Sequence, residues 1–168
     1  MNTKGFTLTE LLVTVVILGV LVSIAMPQYM RAVERSRATE AMSIIKTVND
    51  AIYVYYSDRE RCPTLFSQLP VALPDADLEH ASINSKFFTF TLGSASANSS
   101  NANTNVPGTS CPGVVAARRG VAKYDYVIWN PFSAGTSGKA LALQCDGTTK
   151  DSIAVCESLG LYRSSAQE

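Results

Sequence analysis

The sequence predicts an α+β fold: a long N-terminal helix, membrane-spanning in its first half and kinked near Pro27, packed on a small antiparallel β-sheet of three to four strands. Three observations lead there. Residues 11–26 (LLVTVVILGVLVSIAM) hold no charged side chain. Beyond Pro27, apolar residues recur at helical spacing as far as Tyr56, and no Gly or Pro interrupts between 28 and 61. After Cys62-Pro63 that spacing stops and short alternating runs follow one another. Consecutive strands after a long helix suggest an antiparallel meander laid across it.

The first element carries a problem of its own. From Phe6 to Met26 is 21 residues, about 32 Å as a helix at ~1.5 Å per residue. That is close to the ~30 Å hydrocarbon core of a bilayer. Yet Thr7, Thr9 and Glu10 sit at its start. An unpaired carboxylate in lipid costs on the order of 2.5–3.5 kcal/mol, so Glu10 needs a partner. Read from the residues alone, three arrangements compete. A secretory signal peptide would use Lys4 as its basic region and Ser23-Ile24-Ala25 as its cleavage site; a carboxylate at the entrance of the apolar run opposes it. A plain signal anchor fits but leaves Glu10 unexplained. A buried core helix fits the long charge-free run worst.

In the second element, Ala41, Ile44, Ile45, Val48, Ile52, Tyr55 and Tyr56 form an apolar stripe. Arg31, Glu34, Arg35, Arg37, Glu40, Lys46 and Asp50 lie between them. This predicts an amphipathic helix from about Pro27 to Asp58 with its stripe against a sheet. Proline removes one backbone hydrogen bond and crowds the preceding turn, so a kink is expected at Pro27 rather than an end. The two parts together span about 80 Å at ~1.5 Å per residue.

The remaining elements belong to a head. Pro63, Pro70 and Pro74 mark a loop-rich connector over 62–82. Strands are predicted at 86–92 (KFFTFTL), at 123–129 (KYDYVIW) and at 139–145 (KALALQC), with 153–156 (IAVC) as a short fourth element. In the second, Tyr124, Tyr126 and Ile128 share a face. Turns are placed at Gly135-Thr136-Ser137-Gly138 and at Asp146-Gly147. Residues 93–113 are rich in Ser, Asn, Ala and Gly and are expected to form an exposed loop. Asn98-Ser99-Ser100 fits a glycosylation acceptor pattern, though a plain spacer accounts for the segment.

Charge and chemistry exclude several function classes. Lys+Arg and Asp+Glu are both 14, so the formal net charge is zero and there is no sign of bulk affinity for nucleic acid or anionic lipid. The basic residues Arg118, Arg119, Lys123 and Arg163 support nucleic-acid binding only weakly, because such contact needs several phosphates neutralised together. His80 is the one histidine; no Ser/His/Asp set, P-loop or metal cluster can be assembled. Neither an enzyme nor a cofactor is expected. Asp146 and Asp151 are too few for a calcium site. The cysteines, Cys62, Cys111, Cys145 and Cys156, contain no C-x-x-C pair. All four follow the apolar segment, so an exported location favours disulfides. Three pairings are open.

The N-terminal residues Lys4-Gly5-Phe6-Thr7-Leu8-Thr9-Glu10, followed by the apolar run, resemble the class III signal sequence of type IV pilins and type II secretion pseudopilins. The resemblance covers roughly the first 30 residues in detail and the rest in architecture. It implies a leader, 1–5, cut between Gly5 and Phe6 by a prepilin peptidase, and N-methylation of Phe6. It implies that Glu10 neutralises the Phe6 amine, of its own chain or of a neighbour, during assembly. Segment 6–27 becomes the transmembrane and assembly helix, 28–61 its amphipathic continuation, and 62–168 the head. Gly19 and Pro27 fall where such helices loosen. A bond between Cys145 and Cys156 matches the disulfide-bounded C-terminal region of many pilins, and Cys62 would then pair with Cys111. The implied partners are further copies of the chain in a filament, the peptidase and pilus assembly machinery, and the inner membrane. The precursor would keep its N-terminus in the cytoplasm and its head in the periplasm before entering an extracellular pilus. The implied function is structural: a pilus subunit, with a secretion pseudopilin or a minor pilin that binds DNA or a surface as alternatives.

Overall fold

A computed structural model of the chain describes residues 5–72, 78–93, 111, 113–130 and 143–161. Within them, a long N-terminal helix, a short second helix and a five-stranded antiparallel sheet form an α+β fold. The long helix, α1, runs unbroken over Leu8–Arg59, about 78 Å at ~1.5 Å per residue. Thr7 caps its start with extended backbone, and a capping box with Glu10 satisfies two of the first turn's orphan N–H groups. Helical geometry continues through Pro27. At the other end Glu60 turns into the left-handed region, φ 50°, and its N–H returns to the Tyr56 carbonyl at 2.8 Å.

The sheet is a meander in the order β1 (Ser82–Asn84), β2 (Phe88–Leu92), β3 (Val114–Arg118), β4 (Tyr126–Trp129) and β5 (Gln144–Gly147). Each strand pairs with the next. Register places Phe90 opposite Ala116, Ala116 opposite Ile128, and Ile128 opposite Cys145. That face meets the buried seam of α1: Ala38, Ala41, Ile45, Val48, Ile52 and Tyr55. Phe88, Phe90, Tyr126 and Ile128 fill the space between, and Phe88 meets Tyr126 edge-on at 6.0 Å between ring centroids. Val115, Val127 and Trp129 form a smaller buried cluster of their own, on the alternate strand positions and so on the opposite face of the sheet.

Several expectations change. The sheet has five described strands, not three to four. Val114–Arg118 was missed because Val-Val-Ala-Ala-Arg carries only two β-branched residues and adjoins the Ser/Asn-rich stretch. The strand expected at 86–92 begins at Phe88, and Ala122–Tyr124 is a 3-10 turn leading into β4. The strand expected at 139–145 is described only from 144 onward, and Asp146-Gly147 belongs to it instead of to a turn, paired with Val127 and Tyr126. Residues 153–156 are not a strand. They lie inside a second helix, α2 (Lys150–Ser158), which Thr149 caps through a reciprocal pair with Ser152. A four-residue apolar run does not distinguish helix from strand; the cap does. Gly147 is required where α2 approaches β5, since a Cβ there would lie 2.5 Å from the Ser152 hydroxyl. Lys4, the Asn98 acceptor pattern, the Gly135–Gly138 turn and Arg163 lie outside the described residues.

Candidate functional site

The two halves of α1 face different surroundings. Phe6 is 84% exposed and Leu8 79%. The large apolar side chains from Leu11 to Met26 are each between 53% and 62% exposed. This half is long and apolar enough to cross a membrane, with a mean hydropathy of 2.5 over its best window. A contiguous apolar surface of this extent marks a membrane or protein contact. Its polar groups are already satisfied along the chain: the Thr14 hydroxyl donates to the Leu11 carbonyl at 2.8 Å and Ser23 to Val20 at 2.7 Å. A hydroxyl bonded to its own helix enters an apolar environment cheaply.

Glu10 stands at the start of that surface. Its Oε2 accepts the Thr7 N–H at 3.0 Å and the Thr7 hydroxyl at 2.7 Å, while the Glu10 N–H donates to Thr7 Oγ1 at 3.3 Å. The carboxylate is thus aimed back over the first turn, toward Phe6. Gly5 is exposed there, and a Cβ on it would meet nothing within 4 Å.

Where α1 reaches the head, a second carboxylate is buried. Glu34 is 1% exposed. It accepts two hydrogen bonds from the Arg118 guanidinium, one from Nε to Oε1 and one from Nη2 to Oε2 at 3.1 Å. Arg37 adds a donor at 3.0 Å, and the Tyr126 hydroxyl donates to Oε1 at 3.1 Å. The Arg118 side chain is 2% exposed, and its Nη1 also donates to the Phe87 carbonyl at 2.9 Å. Burial raises the Glu34 carboxyl, but the Arg118 hydrogen bonds and charge, helped by Arg37 and Tyr126, outweigh it and hold the group below the ordinary carboxylate range. Burial first, and then the Glu34 charge, push the Tyr126 phenol well above its ordinary value.

Sequence reading missed this cluster. It placed Glu34 among the charged residues between the apolar positions of the stripe and Arg118 in a group of four basic residues. The available signal was that Glu34 continues the seam of Ala38, Ala41 and Ile45 by one turn. The basic group considered for nucleic acid is therefore divided. Arg118 is enclosed, Arg119 donates to the Ser85 carbonyl at 3.0 Å, and Lys123 lies 3.7 Å from Asp151. Asp151 also lies 3.9 Å from Arg31. Among the described residues no group of three or more His, Cys, Asp or Glu side chains is placed to hold a metal.

Two disulfides close the head. Cys62 is bonded to Cys111 and Cys145 to Cys156. The first fastens the end of α1 to the residues leading into β3. The second fastens α2 to β5.

The family model described as "Prokaryotic N-terminal methylation motif" matches residues 1–26. The fimbrial protein EcpC of Eikenella corrodens is 33% identical over 151 residues, covering 88% of this chain and 76% of that protein. The type IV major pilin protein PilE1 of Neisseria gonorrhoeae is 33% identical over 81 residues, 47% of this chain and 49% of the pilin. The type II secretion system core protein G of Aeromonas hydrophila is 40% identical over 61 residues, 36% of this chain and 43% of that protein. No solved structure matches the chain significantly.

Proposed function

We propose that this chain, which belongs to the family of type IV pilins and type II secretion pseudopilins, is the structural subunit of a type IV pilus. The observation that carries the reading is the exposed apolar half of α1, continuous with a second half of which the head buries one seam. A lone head has no use for such a surface; a filament of subunits packed through their N-terminal helices does. The pilus is favoured over the secretion pseudopilus because the similarity to a fimbrial protein runs through 88% of the chain, whereas the similarity to core protein G covers 36%.

On this reading the precursor is held in the inner membrane by residues 6–27, with its N-terminus cytoplasmic and its head periplasmic. A prepilin peptidase cuts between Gly5 and Phe6, and the Phe6 amine is methylated. Cutting there leaves the ammonium one residue before Thr7, which already holds Glu10. An ammonium and a carboxylate in a low-dielectric surrounding attract strongly, and either one left alone is penalised. The pair sets axial position more than it adds stability. Gly19 and Pro27 are where the helix loosens on assembly, since glycine is a poor helix former and Pro27 has no N–H to donate.

The test is the mass and sequence of the native N-terminus, together with electron microscopy of cells expressing the chain as sole pilin. An N-methylated Phe6 and surface filaments containing the chain are expected. A start at Met1 or Met26 would overturn the processing. A correctly processed chain that restores secretion without surface filaments would move it to the pseudopilins, the reading that its similarity to core protein G favours.

A further inference from the structure

The seam of α1 that meets the sheet is nearly repetitive. Seven of its nine buried positions, Glu34, Ala38, Ala41, Ile45, Val48, Ile52 and Tyr55, are spaced alternately by four and three residues, and Asn49 and Ala51 flank that line. Moving the helix along the sheet by one turn, about 5.4 Å, lays each position roughly where its neighbour was. Apolar side chains tolerate such exchanges at modest cost when total volume is kept. Nothing in the spacing itself fixes where the head sits along the helix.

Two buried polar contacts break the repeat, and both reach the same strand. At one end Glu34 holds Arg118, the last residue of β3. At the other, Asn49, 6% exposed, accepts the N–H of Val114, the first residue of β3, at 3.1 Å. Fifteen residues separate Glu34 from Asn49, about 22 Å at ~1.5 Å per residue. β3 is the central strand of the five, so its whole length is held against the helix between two polar contacts. A Cβ on Gly113 would lie 3.1 Å from Asn49 Oδ1, so the backbone leading into β3 is close against the amide. A slip of one turn would set Ala38 or Met30 opposite Arg118 and leave a guanidinium buried without its carboxylate. It would also take the acceptor from the Val114 N–H. Both outcomes are heavily penalised.

We propose that Glu34, Arg118 and Asn49 are positioning residues that fix the register of the helix on β3, and so fix where each head stands relative to the helix that carries it. The mechanical consequence rests on the filament reading: the helix sets a subunit's axial position, and the two contacts carry that position into the central strand of the head. A buried ion pair adds little stability over an apolar pair of similar volume, and specifying one arrangement is its best-attested use.

The experiment uses the full chain in detergent with both disulfides formed. Spin labels on non-canonical residues replace Thr47, exposed on α1, and Thr89 on β2. The wild type is expected to give one narrow inter-label distance. Glu34→Leu/Arg118→Leu/Asn49→Leu is expected to keep its disulfides and a cooperative thermal transition, but to split or broaden that distance by about 5 Å, one helical turn. A single distance equal to the wild type's would overturn the proposal. Should this variant fail to form its disulfides, Glu34→Gln/Asn49→Ala decides the matter. Broadening together with at least tenfold faster exchange of the Val114 amide supports register control, and wild-type values for both overturn it. These distances do not depend on assembly. If the filament reading is wrong, the wild type forms no filaments in cells while the register result stands.

Discussion

One helix serves two surroundings. Residues 11–26 of α1 carry no charge, and their large apolar side chains are exposed; residues 34–55 are buried along one mostly apolar seam. The richer hydrophobic sequence is the half that the subunit leaves uncovered. A helix that is hydrophobic all round needs partners all round, and a single sheet can cover only one stripe. The amphipathic half is satisfied within the chain, so it sets the stability of the head. The other half is satisfied only by lipid or by further copies, so it sets where the chain resides and what it joins.

The comparison is broken most severely at the boundary between the halves. Glu34→Ala leaves Arg118 buried without its partner and is expected to lower the stability of the head by about 3–5 kcal/mol, read by urea denaturation in detergent. A loss under about 1 kcal/mol would place the pair among exposed ion pairs. The disulfides come next. Removing Cys62–Cys111, which closes a separation of 49 residues, is expected to cost about 4 kcal/mol, and removing Cys145–Cys156, with a separation of 11, about 3 kcal/mol in the chain-entropy account. Equal losses measured on the two serine pairs would contradict the loop-length argument.

A matched pair of truncations sharpens the contrast between the halves. Ile52→Ala removes a fully buried side chain and is expected to cost about 2–4 kcal/mol. Leu18→Ala removes one that is 58% exposed and should change the head's unfolding by no more than about 0.5 kcal/mol. Its effect belongs in assembly, read as filament yield. If Leu18→Ala lowered the urea midpoint of the full chain as much as Ile52→Ala, the two halves would not be independent.

The smallest effect is that of pH. Glu34 is held below its ordinary 4.5, so its contribution is complete above that value and is lost as the pH falls through the depressed folded value. Tyr126 is held above its ordinary 10.0; its contribution is complete below that value and is lost as the pH rises beyond it. The urea midpoint should therefore be insensitive to these groups from about pH 5 to about pH 10 and fall on either side. Glu34→Gln should flatten the acid arm and weaken, without abolishing, the alkaline one, because burial is the larger cause of the Tyr126 shift and the Glu34 charge the next. An acid arm that persists in that variant would assign it to other carboxylates.

Much of the fold was legible because it rests on local patterns. The charge-free run, the helical stripe from Ala41 to Tyr56 and the alternation in Phe88–Leu92 and Tyr126–Trp129 are each written in neighbouring residues. Val114–Arg118 was not legible, since two alanines and an arginine carry little strand propensity and its pairing partners lie ten or more residues away in sequence. Residues 153–156 were misread because a short apolar run suits either element until the Thr149 cap is recognised. Of the candidate site, the apolar surface and Glu10 were visible in the motif. The Glu34 cluster was not, because its members stand 84 and 92 residues apart.

By itself the sequence determined that a charge-free apolar run of helical length stands at residues 11–26, that a carboxylate stands at its start, and that a region with four cysteines follows. These features depend on composition and on spacings of a few residues, which a chain displays before it folds. Only the tertiary structure decided which half of the helix is covered, which cysteines are bonded, and that Glu34 and Asn49 hold the two ends of one strand. Those depend on contacts between residues distant in sequence. The burial that makes an ion pair or an orphan N–H consequential does not exist until the helix and sheet have met.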